Sequence, residues 1–309
     1  MNRRTFVAAS AGILAAPWHS ALFGRQQADR TRLILLGTGG GPRPRINRAS
    51  PAQVIVVGNS VYAIDCGDGT TRQFVAAGVP LGRLRHILIT HHHSDHNAGY
   101  GGLILGAWTV GLGSRLDTWG PPPLKKITKA FFEMNAYDIA IRVADEGKPP
   151  LAPLVHAHEI DRGGVVFEDD AVKVTATLVT HPLVKPALAY RFDTRDRSIV
   201  ISGDTAPSDN LIQLARGADV LVHEAMYLPA IDRLVARAPD ATRLKKHLLA
   251  SHTSAEDAGR VAQAAGVKHL VLSHLVPADD PTITDEMWAS AARVHYAGQV
   301  TVGRDLLEI

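Results

Sequence analysis

The residue types best suited to metal chemistry are clustered in one run, His91-His92-His93-Ser94-Asp95-His96. Alternate residues of an extended segment face the same side, so His91 and His93 can bind one ion while His92 points away. Asp95 and His96 begin the next predicted helix and can reach a second ion. Neutral imidazole and carboxylate suit zinc, and two ions about 4 Å apart can activate a bridging water. The run therefore predicts a dinuclear hydrolytic site.

A solvated histidine tract is the alternative explanation of this run. It is disfavoured because the run lies inside the chain, contains an acid, and stands between an apolar strand and a glycine-rich helix start. Cys66 is the only cysteine, which excludes an intramolecular disulfide. Its place at the end of an apolar strand favours a small buried core residue over a nucleophile.

The pattern His91-x-His93-x-Asp95-His96 resembles the H-x-H-x-D-H signature of the metallo-β-lactamase superfamily. Leu36-Gly37-Thr38-Gly39-Gly40 and Asp65-Cys66-Gly67-Asp68-Gly69-Thr70 are similar to the opening strands of its ribonuclease Z and arylsulfatase-like branch. Five further matches follow along the chain: Thr180-His181, Ser202-Gly203-Asp204-Thr205, His223-Glu224-Ala225, Ser251-His252-Thr253-Ser254 and Leu272-Ser273-His274.

The resemblance implies seven metal ligands and two divalent ions, with zinc expected and manganese or iron as alternatives. It places the first ion on His91, His93 and His181, the second on Asp95, His96 and His274, and Asp204 between them. For His181, Asp204 or His274 taken alone, a hydrogen-bonded structural role is the better interpretation. Together and in this order they favour metal binding.

Glu224 and His252 are implied by the same resemblance to lie near the leaving group. There His252 can donate a proton while Glu224 holds its tautomer, and Asp95 and Asp204 orient a metal-bridging hydroxide as nucleophile. Helix capping or packing is the alternative role for the pair. His223 is equally well explained as a core histidine and is not assigned.

The elements that must position these residues alternate between strands and helices without a long linker. Strands are predicted at Arg32–Leu36, Gln53–Val57, Val61–Ile64, His86–Thr90, Val165–Glu168, Val172–Val179, Ala187–Phe192, Ser198–Ile201, Val220–His223 and His269–Ser273. Helices are predicted at about Thr70–Ala77, Ala98–Val110, Leu124–Asn135, Ser208–Arg216, Ser254–Ala265 and Thr284–His295, with a capping box at Thr253 and Glu256. This mixture predicts an α/β fold, a four-layer αββα sandwich of two mixed β-sheets with helices outside.

The first thirty residues predict an export signal separate from a catalytic domain at residues 31–309. Arg3-Arg4 precedes a short apolar run that resembles a twin-arginine signal and is too short to span a bilayer, so no stable membrane anchor is expected. A periplasmic or secreted location follows. Beyond residue 30 the basic and acidic residues are equal in number, which argues against a broad nucleic-acid surface.

The favoured substrate is accordingly a small phosphodiester or sulfate ester, as in arylsulfatases and phosphodiesterases. Trp108, Tyr227 and Trp288 are candidates for an aryl pocket, although core packing is the better interpretation of each. Transfer RNA 3′ processing of the ribonuclease Z type is the alternative, and nucleic acid is judged an improbable partner for three reasons. The segment from His181 to Asp204 is too short for the long flexible arm of the bacterial transfer RNA enzymes. The segment after His274 lacks the aromatic and arginine ending of that family, and residues 31–309 have no net charge. A lactonase or thioesterase, a non-catalytic zinc-binding protein and a homodimer remain further alternatives.

Overall fold

Two seven-stranded β-sheets form the centre of residues 30–309, the part of the chain that this computed structural model describes. Thr31–Ile309 makes up one compact unit. The strands are β1 Arg32–Gly37, β2 Ala52–Val57, β3 Ser60–Ile64, β4 Leu84–Leu88, β5 Leu116–Gly120, β6 Val155–Glu159, β7 Gly164–Glu168, β8 Val172–Leu178, β9 Leu188–Thr194, β10 Ser198–Ile201, β11 Val220–Met226, β12 His269–Val276, β13 Gln299–Val302 and β14 Leu307–Glu308. The first sheet has the order β14-β1-β2-β3-β4-β5-β6, and the second β13-β12-β11-β10-β9-β8-β7.

Both sheets are mixed, and their parallel strands decide where loops can meet. Strands β3 to β6 run parallel in the first sheet, as do β10 to β13 in the second. Because β9 is antiparallel to both β8 and β10, β8 runs in the same direction as β10, β11 and β12. The loops after β8, β10 and β12 therefore leave the same edge of the second sheet.

Each sheet buries both faces, which produces the four layers. In β1, Leu33 and Leu35 enter the core between the sheets, while Ile34 and Leu36 enter the core between the first sheet and its helices. This division follows from the period-two alternation of side chains along a strand. A third core joins the second sheet to its own helices. The predicted αββα sandwich is confirmed.

Nine α-helices surround the sheets within residues 30–309, besides short 3₁₀ turns. They are α1 Thr70–Ala76, α2 Ser94–Asn97, α3 Tyr100–Thr109, α4 Leu124–Asp145, α5 Asp209–Ala215, α6 Ile231–Val235, α7 Ala241–Ser251, α8 Ala255–Ala265 and α9 Asp285–Arg293. Helices α8 and α9 pack against the second sheet mainly through alanines and Trp288. No helix in the described part of the chain is long and apolar enough to cross a bilayer.

All ten predicted strands are present, most with shifted ends, and four more strands and three helices were missed. The missed strands are β5, β6, β13 and β14, and the missed helices are α2, α6 and α7. The predicted capping box is wrong by one residue, because the Ser254 side chain, not Thr253, accepts from the Asp257 N–H to begin α8. The predicted signal lies in residues 1–30, of which all but Arg30 are outside the described residues.

Candidate metal centre

The histidine run leaves β4 as an extended loop and enters α2. His91 is fully buried, His93 is partly exposed, and the two rings lie 4.9 Å apart between centroids. His92 turns away, and its Nε2 hydrogen-bonds to the carbonyl of Pro121 at 2.7 Å. Asp95 and His96 are buried in the single turn of α2. The alternation expected of the run is therefore present.

Three distant candidates reach this loop because their strands share one direction. His181 follows β8, Asp204 follows β10, and His274 lies in β12. In the pairing of β11 with β12, Ser273 faces Glu224 and Leu275 faces Ala225, so His274 is an extra, bulged residue with φ of 43°. A bulge redirects one side chain out of the ladder, and here it turns the imidazole of His274 towards Asp204.

The two sheets are joined at this point by hydrogen bonds from β9. The Leu188 N–H donates to the Thr90 carbonyl at 2.9 Å, and the Tyr190 hydroxyl donates to the Ile89 carbonyl at 2.8 Å. These bonds hold the first-sheet loop against the second sheet. The loop that carries His91 is thereby fixed relative to the strands that carry the distant candidates.

The seven predicted ligands converge into two groups that Asp204 connects. The candidate ligand atoms of each group lie within 4.8 Å of one another: His91, His93, His181 and Asp204 in one, Asp95, His96 and His274 in the other. Asp204 Oδ2 lies 3.8 Å from His91 Nε2 in the first group, and Asp204 Oδ1 lies 3.2 Å from His96 Nε2 in the second. Asp204 thus presents a carboxylate oxygen to each group.

Several of these converging atoms are buried without a hydrogen-bond partner. Among the described residues they include His91 Nε2, His96 Nε2, Asp204 Oδ1 and His274 Nε2. Buried polar atoms are nearly always paired, because an unpaired one loses its solvation without compensation. Cations between them would satisfy all four atoms, and the imidazole and carboxylate donors are those that zinc takes. The residues therefore fit the metal ions that the resemblance implies.

A surplus of buried carboxylate also favours cation binding. Burial lowers the pKa of His91 well below its usual value, which keeps its imidazole in the neutral, ligating form. For His96 and His274 burial acts in the same direction, but nearby carboxylates, with Asp204 the largest contributor, outweigh it and raise the pKa of each imidazole. Divalent ions would neutralise this concentration of negative charge.

The candidate ligand histidines are oriented by partners that sequence reasoning missed. Asp65, at the end of β3, accepts hydrogen bonds from the Thr90 N–H at 2.8 Å and the Thr90 hydroxyl at 2.9 Å. Its Oδ2 also lies 2.7 Å from His96 Nδ1. His181 Nδ1 bonds to the Ser251 carbonyl at 3.2 Å. Such partners fix the tautomer and direction of a ligating imidazole. The position of Asp65 directly after a buried strand, on the same sheet as the histidine loop, was the available signal.

Gly203 lets the chain reach Asp204 through a space that excludes a side chain. Its φ is 60°, and an added Cβ would lie 2.7 Å from the Leu188 carbonyl oxygen and 2.9 Å from Thr90 Cβ. Glycine adopts this left-handed conformation without strain, and it has no Cβ to meet these atoms. The close approach of β10 to the first-sheet loop therefore requires glycine before the connecting aspartate.

Glu224 and His252 form a buried pair beside the two groups. His252 Nδ1 lies 2.9 Å from Glu224 Oε2 and 3.1 Å from Oε1, and Glu224 Oε1 also accepts from the Thr205 N–H at 2.7 Å. Burial lowers the pKa of His252, but the charge and hydrogen bond of Glu224 outweigh burial and raise it. His252 is therefore oriented and biased towards the protonated form at the wall of the cavity.

A cavity of about 520 Å³ opens beside these residues. Its lining includes His93, Asp95, Asp204, His252 and His274, together with apolar side chains of α6, α7 and the end of β12. The three aromatic candidates line other regions: Trp108 and Trp288 are buried in cores, and Tyr227 packs on Trp288. Cys66 is buried in the first-sheet core, as expected.

The family model described as "Beta-lactamase superfamily domain" matches residues 62–275, which contain all seven converging ligands. The chain belongs to the metallo-β-lactamase superfamily. Solved structures agree on the fold of this superfamily member. The metallo-beta-lactamase fold protein YhfI from Bacillus subtilis matches with a TM-score of 0.66 at 21% identity, over 90% of this chain and 98% of its own. The short form of human tRNase Z matches with the same TM-score of 0.66 at 22% identity and the same coverage of both chains.

Curated relatives place this superfamily member in the ribonuclease Z branch. Ribonuclease Z from Mycobacterium bovis, strain BCG / Pasteur 1173P2, is 32% identical over 277 residues, 89% of this chain and 96% of the relative. Ribonuclease Z from Mycobacterium sp., strain KMS, is 34% identical over 276 residues, 89% of this chain and 94% of the relative. The predicted membership of the superfamily and of this branch is confirmed.

These relatives correct three expectations from the sequence. The preference for a small-molecule arylsulfatase or phosphodiesterase is wrong, because the relatives that align over nearly their whole length are named ribonuclease Z. The expectation that nucleic acid is an improbable partner is wrong for the same reason. Neutral net charge was a poor guide, because it averages over the surface and says nothing about one active-site cleft. The periplasmic or secreted location is also wrong on this comparison, because it was predicted for a different enzyme from the ribonuclease Z relatives that the chain matches.

Proposed function

We propose that the chain is a metal-dependent endonuclease of the ribonuclease Z type that removes the 3′ extension of precursor transfer RNA. The observation that carries this proposal is 30–34% identity to proteins named ribonuclease Z, over 89% of this chain and 94–96% of theirs. The complete convergence of seven candidate ligands supports retained hydrolytic chemistry. We assign this activity to residues 31–309.

The ligand roles belong to the proposal. One ion would be held by His91, His93 and His181, a second by Asp95, His96 and His274, with Asp204 shared. Zinc is the proposed metal because imidazole nitrogen and carboxylate oxygen are its usual ligands here. When bound, a pair of such ions activates water and neutralises charge on a phosphodiester.

The Glu224 and His252 pair supplies the proton for the leaving oxygen. Breaking a phosphodiester leaves an alkoxide on the departing nucleotide, and protonation of that oxygen lowers the barrier. His252 lines the cavity and has its Nδ1 held by Glu224, so its Nε2 is the atom available to donate a proton. Asp95, which accepts from the Gly41 N–H at 3.0 Å, and Asp204 orient the attacking water.

The short segment between His181 and Asp204 does not exclude transfer RNA. The mycobacterial relatives align with this chain over 94–96% of their own length, so the branch includes proteins that match it nearly end to end. A segment of this length is therefore compatible with the proposed activity.

Cleavage of precursor transfer RNA by the purified, zinc-loaded protein tests this proposal. The substrate carries a labelled 3′ extension, and mature transfer RNA of the same sequence is the control. We expect release of the extension in one cut at the end of the acceptor stem, with no cut in the mature molecule. Asp204→Asn should abolish cleavage while the protein remains folded by circular dichroism. A folded protein with a full metal complement that leaves the precursor intact would overturn the proposal.

A further inference from the structure

Helix α7, which sequence reasoning missed, turns one face towards the cavity. Leu244, His247 and Leu248 line the cavity, and Ser251 is buried one turn further along. Their spacing of three, four and seven residues places them on one side of an α-helix. None of the proposed ligands or the Glu224 and His252 pair comes from this face, so its role is unassigned.

His247 has one ring nitrogen fixed and the other open. Its Nδ1 bonds to the Ser251 hydroxyl at 3.3 Å, and no other hydrogen bond to its side chain is formed within residues 30–309. Its ring centroid lies 6.1 Å from that of His93, 5.9 Å from His181 and 5.7 Å from His252. His247 is therefore oriented by its own helix and offers Nε2 beside the metal ligands and the proposed proton donor.

The cavity around His247 is larger and more apolar than a phosphate group requires. Leu234 from α6, Leu244 and Leu248 from α7 and Val276 from β12 supply apolar surface next to the charged centre. Its volume of about 520 Å³ lies within the range that holds small organic ligands, about 300–1,000 Å³. A splayed RNA base is flat and largely apolar, and such bases are bound by apolar or aromatic contact combined with hydrogen bonds.

We propose that this face of α7 is a nucleotide subsite, which deepens and rests on the proposed endonuclease function. The base of a nucleotide next to the scissile phosphate packs against Leu244 and Leu248. The His247 Nε2–H donates a hydrogen bond to a phosphate oxygen of that same nucleotide. His247 is in this account a substrate-binding residue, distinct from the metal ligands.

Steady-state cleavage of precursor transfer RNA by His247 variants tests the subsite. His247→Ala should lower kcat/KM about tenfold, the usual effect of removing a hydrogen bond to a charged group, without loss of bound metal. His247→Gln keeps an N–H donor at similar reach and should recover most of that loss. Leu249→Ala is the matched control, because Leu249 is half-exposed on another face of the same helix and should leave kcat/KM unchanged.

Substrates that lack one base identify the nucleotide. Two precursors are compared with the intact one, each with an abasic nucleotide on one side of the scissile phosphate. The wild type should lose about tenfold in kcat/KM on one of them. When His247→Ala is combined with that abasic precursor, the loss in kcat/KM should be smaller than the product of the losses from each change alone, because both changes act on one nucleotide.

Four outcomes would overturn the subsite. If wild type cleaves the intact and both abasic precursors equally, or if His247→Ala cleaves as well as wild type, the subsite is wrong while the endonuclease function stands. Loss of metal from His247→Ala would show that the residue only supports the ligands. A wild type that cleaves no precursor would overturn both proposals together.

Discussion

Replacement of Asp65 by asparagine is the sharpest test of how the ligands are held. The Asp65 carboxylate is buried and accepts three hydrogen bonds of 2.7–2.9 Å, two from Thr90 and one from His96 Nδ1. Asparagine has the same shape and tolerates the left-handed φ of 57° at this position, so the change adds no backbone strain. It removes the negative charge that His96 faces and offers an amide in its place.

The expected result is weaker metal binding rather than unfolding. Loss of a carboxylate that orients a ligating histidine typically costs 10–100-fold in metal affinity, or about 1.4–2.7 kcal/mol. Zinc affinity is measured by competition with a chromogenic chelator. The free energy of unfolding of the metal-free protein is measured in urea, so that a loss of stability is separated from a loss of zinc affinity. Asp68→Asn is the control, because Asp68 is exposed three residues away and should leave affinity unchanged. Wild-type affinity in Asp65→Asn would refute the orienting role.

Three further outcomes follow from the same geometry. Glu224→Gln should lower kcat by about 100-fold with metal content unchanged, since it removes the charge that holds His252 ready to donate; equal loss of metal would contradict this role. Gly203→Ala should destabilise the protein more than Gly217→Ala in urea. Both glycines have a φ of 60–64°, but only at Gly203 would the added Cβ meet neighbouring atoms, those of Leu188 and Thr90; equal losses would refute the packing argument. Burial lowers the pKa of His86 to about 4, from about 6.5 when unfolded, so the unfolded state takes up a proton first and stability falls as pH drops from 6.5 towards 4. The free energy of unfolding should therefore fall by about 2 kcal/mol more in wild type than in His86→Phe between pH 7 and 5, and parallel curves would contradict it.

Local patterns predicted much of the fold and located the histidine run. The apolar alternation of β1 and the run after β4 follow from the sequence itself, because each depends on residues close together in the chain. Assigning His181, Asp204 and His274 to one centre needed the resemblance as well, since no local pattern brings them together. Their convergence then follows from the shared direction of β8, β10 and β12.

What could not be predicted depends on contacts between distant segments. The bulge that turns His274 arises from the pairing of β11 with β12, which leaves no mark in either strand alone. Asp65 binds His96 across 31 positions, and its role appears only when the loops of β3 and β4 lie side by side. The apolar stripe of helix α7 faces a cavity whose other wall comes from elsewhere in the chain.

The most direct test of the central claim is the metal content of the purified protein. Cations between His91, His96, Asp204 and His274 would account for the buried, unpaired atoms of these residues. Inductively coupled plasma mass spectrometry, after saturation with zinc and removal of the excess, should find two ions per chain. A folded chain that retains one ion or none would contradict the dinuclear centre.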